Sequence, residues 1–291
     1  MTALTTRLAG STGSTGSTGS AGSAGSTEPA GTAAPGASRP APAPIPLARL
    51  ARVELRKMFD TRSGFWLMAS IGILAVLATA ATIVFAPDSA ITYESFASAI
   101  GFPMAVILPI IAILSVTGEW SQRNGLTTFT LVPSRGRVIW TKALVAVGVA
   151  VVSMVVAASV GTLGNLLGST INGTDPVWDV SAVALAQIFL ANVLGLLVGF
   201  MLGVVIRSSA PAIVAYFVYS ALLPTVLGML AAFQDWFADL QPWVDFNYAQ
   251  TALFDDAMTG EQWTQLAVTG VVWLVVPTAY GVWRVLRSEV K

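Results

Sequence analysis

Six long stretches of this chain are apolar and carry no charge near their centres, and they constrain its fold more than any other feature. The hydrocarbon core of a bilayer is about 30 Å thick, and a helix needs about 20 apolar residues to cross it. Each stretch reaches that length. The sequence therefore predicts an all-α polytopic membrane protein with six transmembrane helices near residues 65–86, 96–117, 143–168, 182–206, 210–233 and 264–284.

The composition is typical of a membrane protein and lacks residue types on which most enzyme mechanisms depend. Charged residues make up 10% of the chain, against roughly 25% in soluble domains. The chain contains no His and no Cys, so the commonest general base, thiolate nucleophiles and the usual metal ligands are missing. It also lacks the GxxxxGK[ST] phosphate loop. We therefore predict no catalytic residues, no cofactor site and no metal site, and a formal net charge of zero argues against a nucleic-acid partner.

The positions of the charges predict the orientation in the membrane. Connections on one side of the six stretches hold all fifteen Lys and Arg residues and five acids, which leaves +10 there, and the other ten acids leave −10 on the opposite side. Because cytoplasmic loops carry the excess of Lys and Arg, we expect both termini in the cytoplasm and the chain in the plasma membrane. The cations are Arg7, Arg39, Arg49, Arg52, Arg56, Lys57, Arg62, Arg123, Arg135, Arg137, Lys142, Arg207, Arg284, Arg287 and Lys291.

Two different segments precede the first apolar stretch. Residues 1–46 are dominated by Gly, Ser, Thr, Ala and Pro, a composition typical of a disordered tail. In residues 47–63, apolar residues recur at helical spacing while basic residues follow another face, which predicts an amphipathic helix in the plane of the lipid headgroups. Alternatively, this segment is a solvated charged flank that only sets topology. Its candidate lipid-facing cations are Arg52, Arg56, Lys57 and Arg62.

Polar and small residues inside the stretches suggest packing or binding roles. No ionisable group lies at the middle of a stretch, which argues against a proton- or sodium-coupled carrier. Asn165, Gln187 and Asn192 are candidate pathway groups, although amides also join helices by hydrogen bonds. Gly195, Gly199 and Gly203 are four residues apart, so they form a ridge that lets another helix approach closely, either within the chain or in a second copy.

The connections include two long ones. Residues 118–144 on the cytoplasmic side combine basic residues with the apolar Leu126, Phe129 and Leu131, which predicts a docking surface. Residues 234–263 on the outer side mix six acids with Trp and Phe, which predicts short helices at the outer leaflet, or simply an aromatic belt with solvated acids.

The cytoplasmic connection also carries a recognisable pattern. With the preceding basic helix and six stretches with both ends inside, it resembles the permease subunits of type-2 ABC exporters over residues 47–291. The residues that carry the pattern are Glu119, Gly125, Leu126, Leu131, Pro133, Ser134, Arg135, Arg137 and Lys142.

The resemblance implies a transport subunit without its own nucleotide site, in which ATP and magnesium are bound by a separate cytoplasmic ATPase. It implies that residues 52–62 and 119–135 contact that ATPase and that a second permease copy or paralogue completes the dimer. The exported compound would be a drug, lipid, antibiotic or peptide. The alternative function is a non-transporting membrane assembly or immunity-type protein. The implied ATPase contacts are Glu119, Arg123, Gly125, Leu126, Phe129, Pro133 and Arg135.

Overall fold

The computed structural model describes residues 46–121, 135–255 and 257–287. Within these ranges the chain forms helices and short connections, with no strand and an isolated backbone bridge between Thr92 and Val177. The α-helices are α1 (Leu47–Asp60), α2 (Arg62–Phe85), α3 (Tyr93–Ser121), α4 (Arg135–Asn172), α5 (Ala182–Ile206), α6 (Ser209–Phe217), α7 (Leu223–Phe233), α8 (Asp235–Val244), α9 (Phe246–Thr251), α10 (Gly260–Gly270) and α11 (Val276–Arg287).

Six helical segments are long and apolar enough to cross a membrane, so the prediction of an all-α chain with six such segments is confirmed and indicates a multi-pass membrane protein. The segments begin and end close to the predicted limits, except that the third is much longer than 143–168. Of the predicted tail at residues 1–46, residues 1–45 lie outside the described residues. The six segments are Gly64–Phe85, Tyr93–Trp120, Gly136–Asn172, Ala182–Ile206, Ser209–Phe233 and Gly260–Arg287.

The extra length of the third segment belongs to α4, which has 38 residues. At 1.5 Å per residue it is about 57 Å long, nearly twice the thickness of a hydrocarbon core. Part of α4 therefore has to extend beyond the apolar layer. Its first turns carry Arg137 and Lys142, which the sequence pattern had placed in a connection before the helix.

The last two segments are each interrupted by a π-helical turn that ends two residues before a proline. The turns span Val218–Leu222 and Val271–Val275, and each is closed by an N–H that bonds five residues back. The prolines are Pro224 and Pro277. A proline lacks the N–H of a regular turn and its ring crowds the carbonyl four residues earlier, so the wider turn lets the helix continue through the proline.

Helices α3 and α5 form the centre of the bundle, and the glycine ridge of α5 faces α3. A Cβ atom added to Gly199 would lie 2.5 Å from the carbonyl oxygen of Pro109, and one added to Gly203 would lie 3.3 Å from that of Ile113. Gly195 is less crowded, since its nearest neighbour is the Pro109 ring at 4.0 Å. The ridge therefore packs within the chain, against a proline-containing part of α3.

The two ends of the bundle differ in charge. At one end, here called the basic end, the guanidinium of Arg207 lies 5.9 Å from the centre of the Trp120 ring. Burial and the positive charge of Arg284 lower the pKa of Arg207. At the other end, here called the acidic end, the backbone N–H of Glu94 donates to the carboxylate of Asp179 at 2.9 Å.

The connection at residues 234–259 folds inward, which the sequence did not predict. The Phe246 and Leu253 side chains are fully buried and join a core cluster with Ile113 and Val198 of α3 and α5. Trp236 remains exposed, so only part of the connection has the character of an outer aromatic belt. Helix α9 and the turn after it thus pack into the bundle, so the connection does not only lie on the surface.

Candidate functional site

Four charged side chains from three helices form a closed cluster, here called the charge quartet, at the basic end of the bundle. Lys57 of α1 bonds Glu119 of α3 at 2.9 Å and Glu54 of its own helix at 3.1 Å. Lys142 of α4 lies 3.0 Å from Glu119 and also bonds Glu54. Each ammonium therefore contacts both carboxylates, and the quartet has no net charge.

Helix geometry explains why one short segment supplies two members. Glu54 and Lys57 are three residues apart in α1, so they lie on neighbouring positions of one face. Met58 is four residues after Glu54 and is also buried, whereas Arg52 and Arg56 are exposed on the opposite side. The buried face of α1 is therefore partly ionic, and the exposed face carries the arginines.

Three members of the quartet are almost completely shielded from solvent. The exposed fraction of the side chain is 8% for Glu54, 7% for Glu119 and 6% for Lys142, against 43% for Lys57. A buried charge without a partner costs several kcal/mol, so these groups depend on one another. Lys142 has one further acceptor, the carbonyl oxygen of Ser115 at 3.2 Å. The quartet thus fixes α1 against the second and third membrane segments.

The environment keeps the outermost member charged. Burial lowers the pKa of Lys57, but the hydrogen bond to Glu119 and the negative charges of Glu54 and Glu119 outweigh it, and the pKa is raised above its ordinary value. Lys57 is therefore a positively charged ammonium at any physiological pH.

A cavity of about 250 Å³ adjoins the quartet. All four charged residues line it, together with apolar residues of α2 and α3 such as Leu67, Met68 and Ile111. Loosely packed space next to an ionic cluster gives the charges room to change partners without first displacing a packed core. The arrangement can therefore serve as a linkage between helices with more than one state.

The quartet adjoins both ends of the connection that contains residues 122–134. Glu119 is two residues before the end of α3, and Lys142 lies in the second turn of α4. Any displacement of that connection would therefore reach Glu119 and Lys142 directly, and through them α1.

The predicted ATPase contacts and lipid-facing cations fall into three groups: members of the quartet, exposed residues, and residues outside the described ranges. Glu119 and Lys57 belong to the quartet, while Arg52, Arg56 and Arg62 are exposed. The sequence did not identify Glu54 as a functional residue. The sequence did contain an indication that Glu54 is buried, because Glu54 is four residues before Met58 and lies on the helix face that also carries Leu47 and Ala51. Arg123, Gly125, Leu126, Phe129 and Pro133 lie outside the described residues, as does the side chain of Arg135.

The three predicted pathway amides also differ in their surroundings. Asn165 donates to the carbonyl oxygen of Val177 at 2.9 Å and braces a connection at the acidic end. Gln187 is buried, and its side-chain oxygen accepts no hydrogen bond from the described residues. Asn192 bonds the Ile188 carbonyl of its own helix and lines a cavity. Among the three, Asn192 has the surroundings of a binding group.

No protein-family model matches the chain, and no curated protein matches it. The case for function therefore depends on the residues and geometry described above.

Proposed function

We propose that the chain is the membrane subunit of an ATP-driven exporter of the type-2 ABC class, working with a separate cytoplasmic ATPase and with a second permease subunit. The observation that carries the proposal is the position of the charge quartet. It joins α1 to both ends of the connection at residues 122–134, and these are the two regions that contact the ATPase in the permeases that the sequence resembles.

The proposed mechanism is mechanical. Closure of the ATPase on nucleotide would push on the 122–134 connection, and the quartet would pass that displacement to α1, α3 and α4 together. Because the four charges balance and a cavity adjoins them, ion pairs can be exchanged without leaving a buried charge unpaired. The π-helical turns of the last two segments provide places where the bundle can bend.

The orientation is part of the proposal and can be tested separately. The excess of cations at the basic end supports a cytoplasmic position for that end, because cytoplasmic loops carry the excess of Lys and Arg. Because the chain contains no Cys, single Cys substitutions need no altered background. We expect Asp175→Cys, in the exposed connection after α4, to react with a membrane-impermeant maleimide in intact cells. We expect Ser208→Cys, between α5 and α6, to react only after permeabilisation. The reverse pattern would place the basic end outside.

The ATPase contact is tested by photo-crosslinking in the native membrane. We expect a photoreactive amino acid in place of Phe129 to crosslink to a chain that carries a GxxxxGK[ST] phosphate loop, identified by mass spectrometry. The matched control replaces Trp178, an exposed aromatic residue at the acidic end, which should give no such product. Failure of the Phe129 position to capture a phosphate-loop chain, or equal capture from both positions, would reject the ATPase-coupled function.

A further inference from the structure

A second cavity, of about 210 Å³, lies inside the bundle and away from the quartet. Its lining comes from α3 through Ala105, from the middle of α5, from the end of α6 with the π-helical turn after it, and from α9 with Phe254 just beyond it. Asn192 is ten residues into α5, about 15 Å from the acidic end of that helix. Asn192 therefore lies near the middle of a helix that is long enough to cross an apolar layer about 30 Å thick.

The lining of the cavity is polar but uncharged. Its side chains are amides, hydroxyls and aromatic rings, and the lining residues include neither an acid nor a base. Asp245, which precedes α9, directs its carboxylate to the backbone N–H groups of Asn247 and Tyr248 at 3.0 and 3.2 Å. The polar lining residues are Asn192, Tyr219, Ser220, Asn247, Gln250 and Thr251.

One lining atom, the side-chain oxygen of Asn192, has no hydrogen-bond partner among the described residues, although the amide nitrogen of that side chain donates to the Ile188 carbonyl oxygen at 2.9 Å. Asn192 is 93% buried, with an exposed fraction of 7%, and its side-chain oxygen accepts no hydrogen bond within the described parts of the chain. A buried polar atom left unsatisfied costs about 1 to 3 kcal/mol. In an apolar layer no bulk water relieves that cost, so a donor from a bound molecule would be stabilised here.

The backbone beside the cavity departs from a regular α-helix. Tyr219 and Ser220 lie within the π-helical turn, and Tyr219 packs against Trp273 of the second π-helical turn at 6.1 Å between ring centres. Tyr216 reaches across to the carbonyl oxygen of Ala105 at 2.8 Å. Such interruptions at membrane depth are tolerated where they line a cavity, and π-helical turns are frequent at functional sites.

We propose that this cavity binds an uncharged polyhydroxyl group of about the size of one sugar ring. Amide side chains both donate and accept hydrogen bonds, as hydroxyl groups do, and aromatic rings provide apolar faces for the carbon atoms. The volume is equivalent to about seven water molecules, which excludes a large ligand. A charged group would find no counter-ion among the lining residues and would be costly at this depth.

The inference goes beyond the proposed export function, since it concerns binding by this chain without an ATPase or ATP. The test uses the purified full chain in phosphatidylcholine nanodiscs and two probes with the same headgroup chemistry. One is monoglucosyl diacylglycerol, which is supplied by the membrane, and the other is methyl glucoside, which is supplied by water. Saturable binding of either probe supports the proposal and identifies the source, whereas binding of neither overturns it.

Variants connect the binding to the cavity. We expect Asn192→Leu to weaken binding about tenfold, the loss of roughly one hydrogen bond, and Ser220→Phe to block binding by filling the space. Gln187→Leu removes a buried amide from the same helix outside this cavity and should bind as the unaltered chain does. Equal binding by Asn192→Leu and Gln187→Leu, with both melting normally, would overturn the proposal, as would equally tight binding of phosphatidylglycerol.

Discussion

Replacing Lys142 with methionine is expected to destabilise the protein by about 3 to 5 kcal/mol, the largest effect of any single substitution that we predict. The change leaves Glu54 and Glu119 buried, with only the half-exposed Lys57 to balance them. For a chain of this size the loss corresponds to a fall in Tm of roughly 10 °C. The measurement is thermal unfolding of the purified protein in detergent.

Two further variants separate the loss of charge balance from the loss of packing. Glu119→Gln with Lys142→Met leaves Glu54 and Lys57 as a balanced pair, so the double variant should lose much less than the sum of the two single variants. Arg56→Met is the matched control, because Arg56 is an exposed cation on α1, and it should change Tm little. Simple additivity of the two quartet substitutions would show that the four charges do not act together.

Replacing Gly199 with alanine is expected to destabilise the bundle by about 1 to 3 kcal/mol, although alanine is the better helix former. The new methyl group would meet the carbonyl oxygen and Cα atom of Pro109 at 2.5 and 2.8 Å. These are backbone atoms, so they cannot rotate away, and α3 and α5 would have to move apart. Thermal unfolding in detergent again measures the effect.

The same helix provides the control for this prediction. Gly195 lies one turn earlier on the same ridge, and the nearest atom to an added Cβ is the Pro109 ring at 4.0 Å, an ordinary contact. Gly195→Ala should therefore be neutral or slightly stabilising, since it gains helix propensity without a clash. If the two variants had equal Tm values, the close approach of α3 and α5 would not depend on Gly199.

Part of the quartet was visible in the sequence. Glu119 and Lys142 belong to the pattern that flanks the connection at residues 122–134, and Lys57 lies in the predicted amphipathic helix. The contacts between these side chains could not be predicted from the sequence, because 62 residues separate Lys57 from Glu119 and 88 separate Glu54 from Lys142. Glu54 in particular has the sequence context of a solvated acid among basic residues.

The lining of the second cavity was also predicted only in part. Asn192 was predicted as a polar group at membrane depth, whereas Asn247 and Gln250 belong to a connection that was predicted to lie at the outer leaflet. That connection contains six acids, and this suggested solvent. The buried Phe246 of α9 and Leu253 just after that helix are too few to form an apolar stretch, so no pattern of hydropathy reveals that the segment folds inward.

The sequence by itself determined the number and approximate position of the membrane-length helices and the segregation of cations from acids along the chain. These properties are local, because the free energy of placing a helix in an apolar layer is a sum over its own residues. The tertiary structure decided which charges pair, which glycine of α5 lies in close contact with α3, and how far α9 reaches into the bundle. These depend on contacts between residues distant in the chain, and such contacts form only when the helices pack.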